Sequence, residues 1–367
     1  MEIVRIDVYR VDIPMLHQYT MSGGRTWNRL DSTVVKVVTR SGFVGWGESC
    51  PWGPNYLPGF ALGVRAGLEE LAPSLIGAKA NEIDIVNELM DQNLAGHGYV
   101  KHAVDMACWD VWGKSVQLPL SVLLGGTRNV RLAVVASVPS GSAKTMVSTV
   151  EKFRSEHGYA VFSCKLSGDP NNDFPAIEAL MERCRPGEKY IFDANRGYTL
   201  ADALRCANIL SGYDVVFEQP VKSYEEFAAL RHRTTVPLMI DEIFSGMETM
   251  WRVIGDKSCE MINLKIAKVG GLSKARLIRD ICQEHGLVLS IQCCGGSEIT
   301  RAAITHLAAS TRSAYVHSIW DCSENNGVKV VREAAGIADG FLEHTSGFGL
   351  GVEPDPRVLG EVVASYC

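Results

Sequence analysis

Val215-Val216-Phe217-Glu218-Gln219-Pro220 is a short apolar, strand-prone run closed by a carboxylate. The same design stands on either side of it, in Lys189-Tyr190-Ile191-Phe192-Asp193-Ala194-Asn195 and in Pro237-Leu238-Met239-Ile240-Asp241-Glu242. Further out, Phe162-Ser163-Cys164-Lys165 and Ile262-Asn263-Leu264-Lys265 end in lysines, and later runs end at Gln292 and at Trp320-Asp321. The steps from Lys165 through Asp193, Glu218, Asp241, Lys265 and Gln292 to Trp320 are 28, 25, 23, 24, 27 and 28 residues. One strand, one loop and one helix fill that length, so each step reads as a βα unit. A further unit ends at Ser137, 28 residues before Lys165. Eight such units close a parallel α/β barrel, whose chemistry sits at the C-terminal ends of its strands.

The chain has 367 residues, enough for a barrel and an added domain. Its 46% hydrophobic content supports a large core, and its net charge of −6 comes without a run of like charges. No basic footprint for nucleic acid is present. No window approaches the roughly 18 apolar residues of a membrane helix, and the first residues lack a signal-peptide core. Eleven cysteines with no Cys-x-x-Cys pair read as buried thiols in a reducing compartment. The expectation is a cytoplasmic protein without nucleic-acid or membrane partners.

Residues 3–13 and 33–47 alternate like antiparallel strands. Between them, residues 17–25 are polar and glycine-bearing and read as a mobile loop. Helical patterns cover 60–75, 81–93 and 100–116, and Leu124-Gly125-Gly126 marks a break. The expected division is an N-terminal α+β domain over 1–126, a barrel over 127–340, and a segment over 341–367 that returns to the first domain.

Asp193, Glu218 and Asp241 fall on consecutive barrel strands. A single such acid is more often a helix cap. Three on one rim repel one another unless a cation lies among them, and oxygen-only donors suit Mg²⁺ first and Mn²⁺ second. Lys165 and Lys265, on the second and sixth strands, stand across the lumen from each other. A salt bridge to the acids would account for either lysine. A metal and a second lysine would instead lower both pKa values toward those of general bases. Lys268, three residues on, is expected to face away from the lumen.

With these residues the chain resembles the muconate lactonizing subgroup of the enolase superfamily over essentially its full length. The likeness rests on the helix Ala103 to Lys114 with Leu124-Gly125-Gly126, on Asp193-Ala194-Asn195, Glu218-Gln219-Pro220 and Asp241-Glu242, and on Lys265-Ile266-Ala267-Lys268-Val269-Gly270-Gly271. The resemblance implies a modified TIM barrel, (β/α)7β, with an N-terminal α+β capping domain. It also implies one Mg²⁺ and removal of a proton α to a substrate carboxylate. The subgroup usually carries Lys-x-Lys on its second strand, and Ser163 stands here at the first of those positions. Ser163, Asn195 and Lys268 are expected just behind the reacting groups. Gln292-Cys293 at the seventh strand end argues against acid-sugar chemistry.

The loop with Tyr19 and Ser22, and Tyr56 near it, resembles subgroup members acting on proline derivatives. Tyr19, Ser22, Tyr56, Cys293, Trp320 and Asp321 are therefore the expected substrate contacts. Asp321 either pairs with a substrate ammonium or caps a helix. The resulting expectation is dehydration of cis-3-hydroxy-L-proline to 1-pyrroline-2-carboxylate. The alternative is epimerisation of a 4-hydroxyproline betaine or another amino-acid derivative, with cycloisomerisation behind it. The resemblance also implies a homo-oligomer.

Overall fold

The computed structural model describes residues 1–21 and 24–367. Ser22 therefore lies outside the described residues.

The N-terminal part pairs β1 (Ile3–Met21), β2 (Arg25–Thr39) and β3 (Val44–Ser49) antiparallel. Three helices pack on them: α1 (Ala61–Leu75), α2 (Ile83–Asn93) and α3 (Gly98–Val116). Helix α3 is buried nearly all round and approaches β3 so closely that a Cβ on Gly47 would meet the Ala103 carbonyl at 1.9 Å. Only glycine permits that contact. The stretch read as a loop is largely strand. Tyr19 pairs with Trp27, Thr20 with Thr26 and Met21 with Arg25, beyond a register irregularity between Pro14 and Tyr19. Its polarity reflects a hairpin arm reaching away from its own core.

After α4 (Leu120–Leu123) and β4 (Arg131–Ala133), the barrel begins. Its strands and helices alternate as β5 (Val135–Val138), α5 (Ala143–His157), β6 (Val161–Lys165), α6 (Pro170–Met181), β7 (Lys189–Asp193) and α7 (Leu200–Leu210). They continue as β8 (Val215–Glu218), α8 (Tyr224–Arg231), β9 (Leu238–Ile240), α9 (Met247–Asp256), β10 (Met261–Lys265), the short α10 (Ile266–Val269) and α11 (Leu272–His285). The last units are β11 (Val288–Gln292), α12 (Glu298–Ala309) and β12 (Val316–Ile319). Strands β5 to β12 form one parallel sheet, and a parallel bridge between Val134 and Ile319 brings its two ends together. The fold is a modified TIM barrel with a capping domain. In the tail, β13 (Phe341–Glu343) pairs with β4, a short helix α13 (Pro356–Leu359) follows, and β14 (Val362–Tyr366) pairs with β1.

One buried carboxylate ties cap to barrel. Glu48 of β3 is fully buried and accepts hydrogen bonds from Ser32 Oγ, from the Ser297 and Thr300 amides, and from both of their hydroxyls, at 2.6–3.2 Å. It thereby caps α12, directly after the loop that leaves β11.

Candidate active site

A cavity of about 430 Å³, counted to its open mouth, lies at the C-terminal ends of the barrel strands. Its lining includes Lys165, Glu218, Asp241, Lys265 and Cys293 from the barrel, with Tyr19, Trp52 and Tyr56 from the cap. Strand register explains the convergence, because Lys165 pairs with Asp193 and Asp193 with Glu218 across β6, β7 and β8. Asp193, Glu218 and Asp241 are 0–2% exposed, so their charges sit almost wholly out of water.

Each lysine is held by an acid. Lys165 Nζ donates to Asp193 Oδ2 at 2.5 Å, and Lys265 Nζ to Asp241 Oδ2 at 2.6 Å. Tyr56 joins the second pair, accepting from Lys265 Nζ at 2.8 Å and donating to Asp241 Oδ2 at 3.3 Å. Burial alone would lower both ammonium pKa values, but the Asp193 and Asp241 charges outweigh it, and both lysines are raised. An ion-paired ammonium resists losing its proton, and the lowering expected of the lysines belongs to a site whose acids hold a cation. Lys268 lies on the helical turn α10, not on a strand, and its Nζ returns to the carbonyls of Asp241 and Glu242 at 2.7 and 3.2 Å. Burial first, and then the neighbouring Lys265 charge, lower its pKa against the pull of Asp241.

Among the described residues, no three His, Cys, Asp or Glu side chains converge closely enough to enclose a metal. The donor set nevertheless fits a hard cation. Asp241 Oδ1 and Glu242 Oε2 are buried without a hydrogen-bond donor, with Lys268 Nζ 3.9 Å from Asp241 Oδ1. Burial and the Asp193 charge push Glu218 well above the ordinary carboxylate range, and burial with the Asp241 and Asp193 charges pushes Glu242 up to about 7. Such strain marks carboxylates short of positive charge. Asn195 steadies the group, donating from its amide to Asp193 Oδ2 at 2.9 Å and to Glu242 Oε1 at 3.0 Å.

An aromatic wall faces the acids. Trp52 stacks on Tyr19 at 4.9 Å and on Trp320 at 6.2 Å, with the Trp27 edge at 5.1 Å. Asp321 does not reach this cavity. Its oxygens are engaged by Arg301 at 2.9 Å and by the Ser323 amide and hydroxyl at 2.8 and 2.7 Å, so Asp321 caps the turn that follows β12 rather than a helix. Sequence reasoning missed Asn263, which donates to Glu218 Oε1 at 2.6 Å, and Trp52, Ser137 and Cys294 in the lining. Asn263 was detectable by its place two residues before Lys265, on the same face of the strand.

Comparison with known proteins agrees with this architecture. Residues 5–125 match the mandelate racemase / muconate lactonizing enzyme N-terminal domain, and residues 145–358 match the enolase C-terminal domain-like family. A cis-3-hydroxy-L-proline dehydratase from Roseibium aggregatum is 40% identical over 367 residues, covering 100% of both chains. A hydrophobic dipeptide epimerase from Enterococcus faecalis is 28% identical over 96% of this chain and 99% of its own. The crystal structure of an enolase-superfamily member from Roseovarius nubinhibens ISM, complexed with magnesium, superposes with a TM-score of 0.94 at 36% identity over 100% of this chain and 99% of that one. No helix among the described residues is long and apolar enough to cross a membrane. This chain is an enzyme of the mandelate racemase / muconate lactonizing enzyme family of the enolase superfamily.

Proposed function

We propose that the enzyme dehydrates a 3-hydroxyproline, with cis-3-hydroxy-L-proline as substrate and 1-pyrroline-2-carboxylate as product. The observation that carries this reading is the pair of lysines, Lys265 buried and Lys165 partly buried, from strands on opposite sides of one acid-lined cavity. The full-length relative with that activity supports it. One Mg²⁺, or Mn²⁺ in its place, would be held by Asp193, Glu218 and Asp241. When bound, it would supply the positive charge that stabilises an ene-diolate, as in enolase-superfamily sites generally.

The chain's own groups then divide the work. One lysine takes the proton α to the substrate carboxylate, and the ammonium of the other hands a proton to the departing β-hydroxyl. Tyr56 and Asn195 hold lysine and acid in register through the hydrogen bonds to Lys265 and Asp193. Trp320, stacked through Trp52 on Tyr19, offers an aromatic face to the ring nitrogen, and the hydrophobic wall excludes water. Cys293, almost wholly buried, closes the cavity beside Lys265. Ser163 and Lys268 support the two lysine positions, and Ser22 is kept as a substrate contact.

That aromatic wall also favours a second reading, 2-epimerisation of a 4-hydroxyproline betaine, whose quaternary nitrogen would lie against Trp320. A panel of proline derivatives incubated in D₂O with Mg²⁺ separates the two. A dehydratase forms an imine that reacts with 2-aminobenzaldehyde and requires the 3-hydroxyl. An epimerase changes optical rotation without imine. Absence of imine from every 3-hydroxyproline would end the dehydratase reading.

We further propose that the chain divides at residue 126 into cap and barrel, with the tail from 341 rejoining the cap. We place it in the cytoplasm, which its eleven free thiols support. Assembly of several copies is supported by the exposed Leu118, Val122 and Phe348.

A further inference from the structure

We propose that Tyr19, Ser137 and Ser163 form a seat for the hydroxyl that leaves the substrate, on the Lys165 side of the cavity. The inference rests on the dehydratase reading. Ser137 and Ser163 are direct register partners on β5 and β6, and both line the cavity. The Tyr19 phenol shares a hydrogen bond of 2.9 Å with Ser137 Oγ. Ser163 is 6% exposed, and it lines this cavity. A hydroxyl on a cavity wall can both donate to and accept from a ligand that enters. Ser163 also shares a strand face with Lys165, two residues on.

The chemistry of this corner selects the ligand. Hydroxyls can donate to and accept from another hydroxyl. The Lys165 ammonium beside them repels the ring ammonium and attracts an oxygen gaining negative charge. Stereochemistry then assigns the lysines. In cis-3-hydroxyproline the hydroxyl lies on the carboxylate's ring face, so it is on the face opposite the α-hydrogen. A hydroxyl held beside Lys165 leaves its α-hydrogen facing Lys265. Lys265, having first released its own proton to solvent, takes that proton and an ene-diolate forms. Its electron pair returns as the C2–C3 double bond while the C3–O bond breaks. The oxygen takes a proton from the Lys165 ammonium and departs as water. The enamine shifts a proton from nitrogen to C3 and becomes the cyclic imine. Both lysines reset by exchange with solvent, and no oxidant or reductant is needed.

The test compares imine formation with α-deuteration on cis-3-hydroxy-L-proline in D₂O, followed by 2-aminobenzaldehyde and by NMR. In Ser163→Ala and Ser137→Ala the ratio of imine to α-deuteration should fall about tenfold each, the equivalent of one hydrogen bond. Ser137→Thr keeps a hydroxyl and should hold the ratio within about threefold of the parent value. Lys165→Met should lose imine yet retain α-deuteration, whereas Lys265→Met should lose both. An unchanged ratio in both alanine variants, or the reverse pattern in the lysine variants, overturns the seat while leaving dehydration standing. A parent enzyme that forms no imine overturns both.

Discussion

Removing the Glu48 carboxylate, by Glu48→Ala, should loosen the joint between cap and barrel. Glu48 is 0% exposed, and no cation is among its hydrogen-bond donors. The Ser and Thr hydroxyls around it can rotate toward other acceptors. The Ser297 and Thr300 amides cannot, because the first turn of α12 fixes their direction. Each stranded buried amide costs about 1–3 kcal/mol, so the pair costs about 4 kcal/mol. Unfolding entropy near 2.1 cal/mol/K per residue gives about 0.8 kcal/mol/K for a chain of this length, and hence a fall of about 5 °C in Tm. Glu48→Gln retains one acceptor oxygen and should lose about half as much. Calorimetry on the parent and both variants reads the shifts directly. Because Ser297 ends the loop carrying Cys293 and Cys294 along the cavity, KM should rise in Glu48→Ala as well. A Tm within about 1 °C of the parent would refute the reasoning, since it would mean that the two amides find other partners at no cost.

Asp193→Asn, Glu218→Gln and Asp241→Asn should each lower kcat by about 10²–10³-fold, and EDTA should do the same reversibly on Mg²⁺ readdition; full activity in metal-free buffer contradicts this. Lys165→Met and Lys265→Met should each cut imine formation by about 10²–10⁴-fold, and near-normal turnover in either would move the role to Lys268. Asp321→Asn should destabilise the fold, because it leaves the largely buried Arg301 guanidinium unpaired, with little change in KM; a selective rise in KM would restore Asp321 to the substrate. Burial pushes His102 down to about 3, so the folded chain keeps it neutral while the unfolded chain binds a proton below about 6.5. Its contribution is complete above that pH and is lost as pH falls toward 3, so His102→Asn should flatten the acid slope of urea stability by about 1.4 kcal/mol per pH unit. Identical slopes for parent and variant would show that the imidazole is not held neutral.

The barrel was legible in the chain because strand, loop and helix impose a repeat that composition cannot hide. Asp193, Glu218, Asp241, Lys165 and Lys265 stood out because, closing successive apolar runs, they converge on one rim, where like charges need a cation among them. Those inferences need only local spacing and the common direction of parallel strands. What the spacing could not carry was decided by partners far away in sequence. Asp321 is turned from the cavity by Arg301 on a neighbouring helix, and the lysines are raised because strand register sets an acid against each ammonium. Residues 17–21 look like a loop by composition, yet cross-strand pairing with β2 makes them strand. Glu48 reads as the polar member of an edge strand until α12, about 250 residues later, supplies the amides that bury it. Hydroxyls such as Ser137 and Ser163 leave no mark on hydrophobic periodicity, and only barrel closure brings them beside Tyr19 of the cap. Periodicity reports which face of an element is apolar; which charged or hydroxyl groups meet across that face is a property of the packed chain alone.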